Sequence, residues 1–148
     1  MKRYKRGYTQ GVYDMFHIGH LNLINNAKKQ CEYLIVGVNA DELVQEYKNK
    51  VPVISEQKRR MIVENIKAVD EAIIAKTLDK EKQFKDVKFD VIFIGDDWKG
   101  DKRWEDTRKQ LKKYGVDVVF LPHTDGVSST DLRIVKDERI QEEKKECL

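Results

Sequence analysis

Two of the three histidines in this 148-residue chain stand three positions apart, in Gly11-Val12-Tyr13-Asp14-Met15-Phe16-His17-Ile18-Gly19-His20. The segment leaves an apolar run, turns, and enters a stretch with helical spacing. At the start of a helix, positions i and i+3 share one side, next to backbone N–H groups that have no partner within the helix. Helix N-termini attract anions, and two imidazoles add donors that become cationic as negative charge gathers beside them. Gly19 allows a ligand to approach the backbone closely. A metal site is the competing chemistry, but no third histidine and no cysteine is near in sequence.

Three other segments carry chemically suggestive residues. Gly126-Val127-Ser128-Ser129-Thr130 is a glycine turn followed by hydroxyls at a helix start, either a second anion cradle or an ordinary cap. Gly95-Asp96-Asp97-Trp98 closes an apolar run with two acids and an aromatic ring. Those acids line a pocket, hold Mg²⁺ through water, or cap the next helix; Asp96 is the favoured pocket residue and Asp97 stays open. Glu46 to Pro52 reads as a polar loop containing Lys48 and Lys50, which are surface charges unless a phosphate lies beside them.

These segments need a scaffold, and the apolar pattern supplies one. Strand-like runs cover Gly7 to Thr9, Tyr33 to Val38, Glu71 to Ile74, Asp90 to Gly95 and Val116 to Leu121. Their near-continuous apolar character suits strands buried on both faces of a parallel sheet. Between them, Ile18, Leu21, Ile24 and Ala27 repeat at helical spacing. Met61, Ile62 and Ile66 share a face behind an expected Ser55 N-cap. Asp101 to Tyr114 reads as a charged helix stopped by Gly115, and a further helix starts at Asp131. The alternation predicts an α/β fold, a single Rossmann-like, doubly wound, parallel five-stranded sheet with a C-terminal helix. In such sheets ligands gather beyond the strands' C-terminal ends, which singles out the loops Gln10 to Gly19, Gly95 to Gly100 and Pro122 to Thr130.

Composition narrows the partners. Hydrophobic residues make up 40% and charged residues 37%, and 29 basic against 26 acidic groups leave a net charge of +3. So small an excess gives no general nucleic-acid footprint but allows a local cationic pocket. No apolar run reaches the roughly 18 residues of a membrane span, and the basic Met1 to Arg6 start, with no apolar stretch behind it, reads as a lead-in to the first strand. Cys31 and Cys147 form neither a disulfide framework nor a metal motif, consistent with a cytoplasmic protein. Residues 1–135 are expected to form one domain. Residues 136–148, nine of them charged, are expected to form a helical tail.

His17-x-Gly19-His20 behind Gly11-Val12-Tyr13-Asp14 resembles the signature of the nucleotidyltransferase superfamily, in its cytidylyltransferase branch. Val69-Asp70-Glu71-Ala72 is similar to that branch's R-Y-V-D-E-V segment. Gly95-Asp96-Asp97-Trp98-Lys99-Gly100 resembles the G-D-D-W-x-G of glycerol-3-phosphate cytidylyltransferases, and His123-Thr124-Asp125-Gly126-Val127-Ser128-Ser129-Thr130 their R-T-E-G-I-S-T-[ST]. The resemblance implies transfer of CMP from CTP to a phosphorylated alcohol, with Mg²⁺ on the phosphates, in a homodimer. By the same resemblance, His17, His20, Lys50 and Lys67 are catalytic. Val12, Tyr13, Asp14, Gly19, Asp96, His123, Thr124 and the Gly126 to Thr130 segment (Gly126, Val127, Ser128, Ser129, Thr130) hold the nucleotide. Lys48, Arg59, Asp70 and Trp98 serve the acceptor, Arg59 alternatively a dimer contact. Lys67 and His123 replace family arginines, losing a planar fork that grips phosphate at two points. Three readings compete: an adenylyltransferase of the superfamily, a weakly catalytic nucleotide-binding subunit, and a synthetase fragment. For the last the chain is too short and lacks a tRNA footprint.

Overall fold

The computed structural model describes residues 2–124. Its five strands are β1 (Tyr4–Gly11), β2 (Cys31–Asn39), β3 (Glu71–Ala75), β4 (Val91–Gly95) and β5 (Asp117–Leu121). All pair in parallel, in the order β3-β2-β1-β4-β5. The helices are α1 (Ile18–Lys28), α2 (Asp41–Lys48), α3 (Glu56–Glu64), α4 (Lys80–Val87) and α5 (Lys102–Lys112), with one 3₁₀ turn at Asp96–Trp98.

Alternation along β2 explains the two layers of helices. Leu34, Val36 and Val38 point to one face and pack with Ile24 and Ala27 of α1 and Val63 of α3. Ile35 points to the other, where Tyr8, Ile92 and Val118 meet Leu111 of α5 and Phe84 of α4. The sheet is therefore doubly wound, as its sequence pattern predicts. The chain leaves β1 toward β2 and later crosses back to lay β4 on the other side of β1. The strand order reverses between β1 and β4, which opens a crevice at their C-terminal ends.

The structure corrects several local expectations. Tyr4 to Arg6 already belong to β1. Glu46 to Lys48 are the last turn of α2, not a loop; Leu43 and Val44 bury one side of this short helix, and Asn49 closes it at φ 54°. Ser55 is the N-cap of α3, yet its hydroxyl makes no capping bond. Instead the Asp41 carboxylate accepts from the Glu56 N–H, and the Glu56 carboxylate accepts from the Asp41 N–H, so α2 and α3 cap each other. On α3 the buried residues are Arg59 and Val63, and Ile66, just past its end, packs against the same core; Met61 and Ile62 are 55% and 41% exposed. An arginine takes a core-facing position because backbone carbonyls there satisfy it. Asp101 caps α5, and Gly115, at φ 74°, follows it. The helix expected from Asp131, the charged tail and Cys147 lie outside the described residues.

Candidate active site

A cavity of about 420 Å³ opens at the crevice between the C-terminal ends of β1 and β4. Its walls come from the β1–α1 loop, the end of α2 and the segment after it, the 3₁₀ turn after β4 and the residues after β5.

The β1–α1 loop is held in an unusual shape. Tyr13 (φ 54°) and Met15 (φ 49°) both adopt left-handed backbone without being glycine, a strain of roughly 1–2 kcal/mol each. Between them Asp14 is buried, and its carboxylate accepts from the N–H groups of Val53 (2.8 Å) and Ile54 (3.0 Å). One carboxylate thus locks the histidine loop to the segment that carries Lys50 and Pro52.

His17 is the N-cap of α1, and its Nδ1 accepts from the Gly19 N–H at 3.1 Å. His20 Nδ1 accepts in turn from the His17 N–H at 3.2 Å. Both Nδ1 atoms are acceptors, so a neutral ring carries its proton on Nε2. The rings stack 3.8 Å apart at 23°, and the His17 Nε2 is buried without a hydrogen-bond partner among the described residues. A buried donor left unsatisfied is costly, and an anionic oxygen in the cavity would satisfy it. A side chain at Gly19 would meet the His17 ring at 2.9 Å, so only glycine lets that ring fold back.

Burial lowers the pKa of His17. Burial lowers that of His20 to about 4, with the neighbouring His17 and Lys48 adding to the shift and Asp14 opposing it. Between the ordinary value of 6.5 and about 4, the unfolded chain takes up a proton at His20 that the folded chain refuses. Acidification through that window therefore costs stability. Melting temperature is expected to fall from pH 7 to pH 4.5, and less steeply in His20→Asn. Identical pH profiles for the two proteins would contradict this assignment.

Lys48 and Lys50 line the cavity, and burial together with Lys50 lowers the pKa of Lys48. Val12, Tyr13, Asp14, Gly19, Trp98, His123 and Thr124 are also in its walls. Thr124 Oγ1 accepts from Asn22 Nδ2, tying the segment after β5 to α1. Asp97 lines the cavity and Asp96 does not, because the 3₁₀ turn folds Asp97 back over Gly95. Gly126, Val127, Ser128, Ser129 and Thr130 lie outside the described residues.

Besides Asp96, three expected site residues are elsewhere. Arg59 is 1% exposed and spends its guanidinium on the carbonyls of Ile54, Val12 and Asn39 and on the Asp41 carboxylate. Lys67 and Asp70 lie before β3, at the end of the sheet opposite the cavity. The Asp70 carboxylate there binds Lys28 and the Leu34 N–H, joining α1, β2 and β3. Val44, which lines the cavity, carries no signal in the sequence; Gln10, also in the lining, is marked only by its place at the start of the loop beyond β1 that the sequence singles out.

The profile of the family described as cytidylyltransferase-like matches residues 8–135. The glycerol-3-phosphate cytidylyltransferase of Bacillus subtilis (strain 168) is 35% identical over 130 residues, 87% of this chain and 95% of that protein. An FAD synthase of Ferroglobus placidus is 38% identical over 112 residues, 76% of this chain and 71% of its own. Among solved structures, a lipopolysaccharide core biosynthesis protein from Thermoplasma volcanium GSS1 superposes with a TM-score of 0.72 at 30% identity, covering 82% of this chain and 99% of that one.

Proposed function

This chain belongs to the cytidylyltransferase-like family, and from that premise we propose that it transfers CMP from CTP to glycerol 3-phosphate, releasing pyrophosphate. The observation that carries the reading is the His17–His20 pair: two stacked rings at a helix N-terminus, one with a buried, unpartnered Nε2, in a cavity also lined by two lysines.

An acceptor phosphate oxygen attacks the α-phosphorus of CTP in line. The new P–O bond forms as the bond from the α-phosphorus to the α,β-bridging oxygen breaks, and pyrophosphate leaves with that electron pair. The nucleophile is already anionic near neutrality, so no dedicated base is required. Catalysis is then positioning and relief of developing charge. The Nε2–H groups of His17 and His20 donate to phosphate oxygens, and negative charge there raises the pKa values that burial lowers. Lys50 neutralises the triphosphate, and Lys48 holds the acceptor phosphate. Val12, Tyr13 and Gly19 shape the nucleotide side with Asp14 behind them; Trp98, His123 and Thr124 close the mouth. Among the described residues no group of three His, Cys, Asp or Glu could hold a metal ion. Of the two cavity carboxylates, Asp14 is engaged by the Val53 and Ile54 N–H groups; a donor set with Asp97 beside it fits Mg²⁺ carried chiefly by the substrate phosphates, where it would neutralise the leaving group.

Glycerol 3-phosphate is favoured by the relative named for it. The product, a CDP-alcohol, suits cytoplasmic supply of a cell-surface polymer or lipid pathway, with the enzyme acting as a homodimer. No helix among the described residues is long and apolar enough to cross a membrane. The test is a screen of glycerol, ribitol, choline and ethanolamine phosphates with CTP, reading the CDP-product by mass. CDP-glycerol is expected as the dominant product; a larger yield from another phospho-alcohol would replace the acceptor, and no CDP-product from any would favour a nucleotide-binding subunit.

A further inference from the structure

Lys48 lines the cavity as an exposed side chain on a flexible stem, and the like charge of Lys50 opposes its ammonium there. A nearby like charge and a flexible stem both work against a fixed place for that ammonium. The ring of Tyr47 can hold it: its centroid lies 5.7 Å from Lys48 Nζ. A cation over an aromatic face gains from the ring's quadrupole.

Tyr47 is 39% exposed and belongs to neither hydrophobic cluster, so packing does not account for its pose. A chain of side-chain hydrogen bonds does. Tyr8 Oη donates to Gln10 Oε1 at 3.0 Å, and Gln10 Nε2 donates to Asn39 Oδ1 at 2.7 Å and to the Thr77 carbonyl at 3.0 Å. Asn39 Nδ2 then donates to Tyr47 Oη at 3.0 Å. Both amides are used at both ends, so neither can flip without setting like groups against each other. Asn39 is buried, and its backbone carbonyl is fixed by Arg59 at 2.8 Å. The chain therefore runs from the middle of β1 across the end of β2 to the last turn of α2, and ends on the ring that faces Lys48.

We infer that Tyr47 is a positioning residue: anchored at its hydroxyl through Gln10 and Asn39, it holds the Lys48 ammonium at the cavity wall ready for a substrate phosphate. This rests on the proposal that Lys48 binds the acceptor. Pre-placing the charge lowers the ordering cost of binding, so the effect should fall on KM for the acceptor.

The experiment is a double-mutant cycle with steady-state kinetics on CTP and glycerol 3-phosphate. Tyr47→Leu is expected to raise KM for glycerol 3-phosphate about fivefold, with kcat and KM for CTP within about twofold. Tyr47→Phe, which keeps the ring and loses the anchor, is expected to fall between Tyr47→Leu and the parent. In a Lys48→Met background, Tyr47→Leu should add less than about twofold to the loss already present. If Lys48→Met raises KM but Tyr47→Leu multiplies it further, Tyr47 does not act through Lys48 and the inference fails alone. An unchanged KM in Tyr47→Leu overturns it as well. If Lys48→Met itself has no effect, the assignment of Lys48 fails first. Melting temperatures of all variants separate these results from a general loss of structure.

Discussion

Replacing His17 with asparagine is expected to cut kcat for pyrophosphate release by about 10²–10³-fold while leaving melting temperature nearly unchanged. The size follows from the loss of one preorganised donor at a site where charge develops in the transition state. The small thermal effect follows from the local role of the ring. His17 caps α1 through Nδ1, and asparagine is itself a favoured N-cap, so the helix start survives while the Nε2–H vanishes. His20→Ala should lose turnover on the same scale, plus about 1 kcal/mol of stability as the reciprocal half of the capping box goes. Turnover within fivefold of the parent in either variant would remove the histidines from the chemistry. Parallel losses of activity and fold would make their role structural.

The second large effect is on stability and concerns Arg59. A methionine there keeps apolar volume but strips three carbonyls and the Asp41 carboxylate of their partner. Leaving buried carbonyls without a partner costs about 1–3 kcal/mol each, and with Asp41 36% exposed the three carbonyls carry most of a loss of about 3–5 kcal/mol. Urea denaturation of Arg59→Met should show a loss of that order. The carbonyls it joins belong to the β1–α1 loop, the end of β2 and the approach to α3, so the walls of the cavity loosen together. Had Arg59 gripped the acceptor directly, as the family position implies, stability would stay constant and only KM for the acceptor would rise. That outcome would contradict the buried-clamp account.

Arg59 also shows where sequence reading stops. The parallel sheet was legible because β2 and β4 are short, nearly unbroken apolar runs, and their alternation with helical spacings admits few topologies. The inward face of α3 was not legible. Hydropathy favours Met61 and Ile62, while the actual face uses an arginine whose partners are the Asp41 carboxylate and backbone carbonyls of Ile54, Val12 and Asn39, the last two distant in sequence. Two-turn α2 buries only Leu43 and Val44, too little to separate it from a loop.

The site divides the same way. His17, Gly19 and His20 are legible because the chemistry is local: a cap, a glycine and two rings within four residues. Asp70 matched a motif and Lys67 stood where that motif has arginine, yet residues just before a strand lie at its N-terminal end, and the crevice is at the other. Asp96 and Asp97 differ by one position in a 3₁₀ turn, which decides which carboxylate meets the cavity. Gln10, Asn39 and Tyr47 come together only through the register of β1 on β2 and the placement of α2. No spacing along the chain announces them.

The most direct test of the central claim is pyrophosphate release from CTP, ATP, GTP and UTP, each with and without glycerol 3-phosphate. The account predicts release from CTP that depends on the acceptor, with the other three slower by at least about tenfold, the scale of a pocket built for one base. Acceptor-dependent release from ATP that equals or exceeds release from CTP would contradict it.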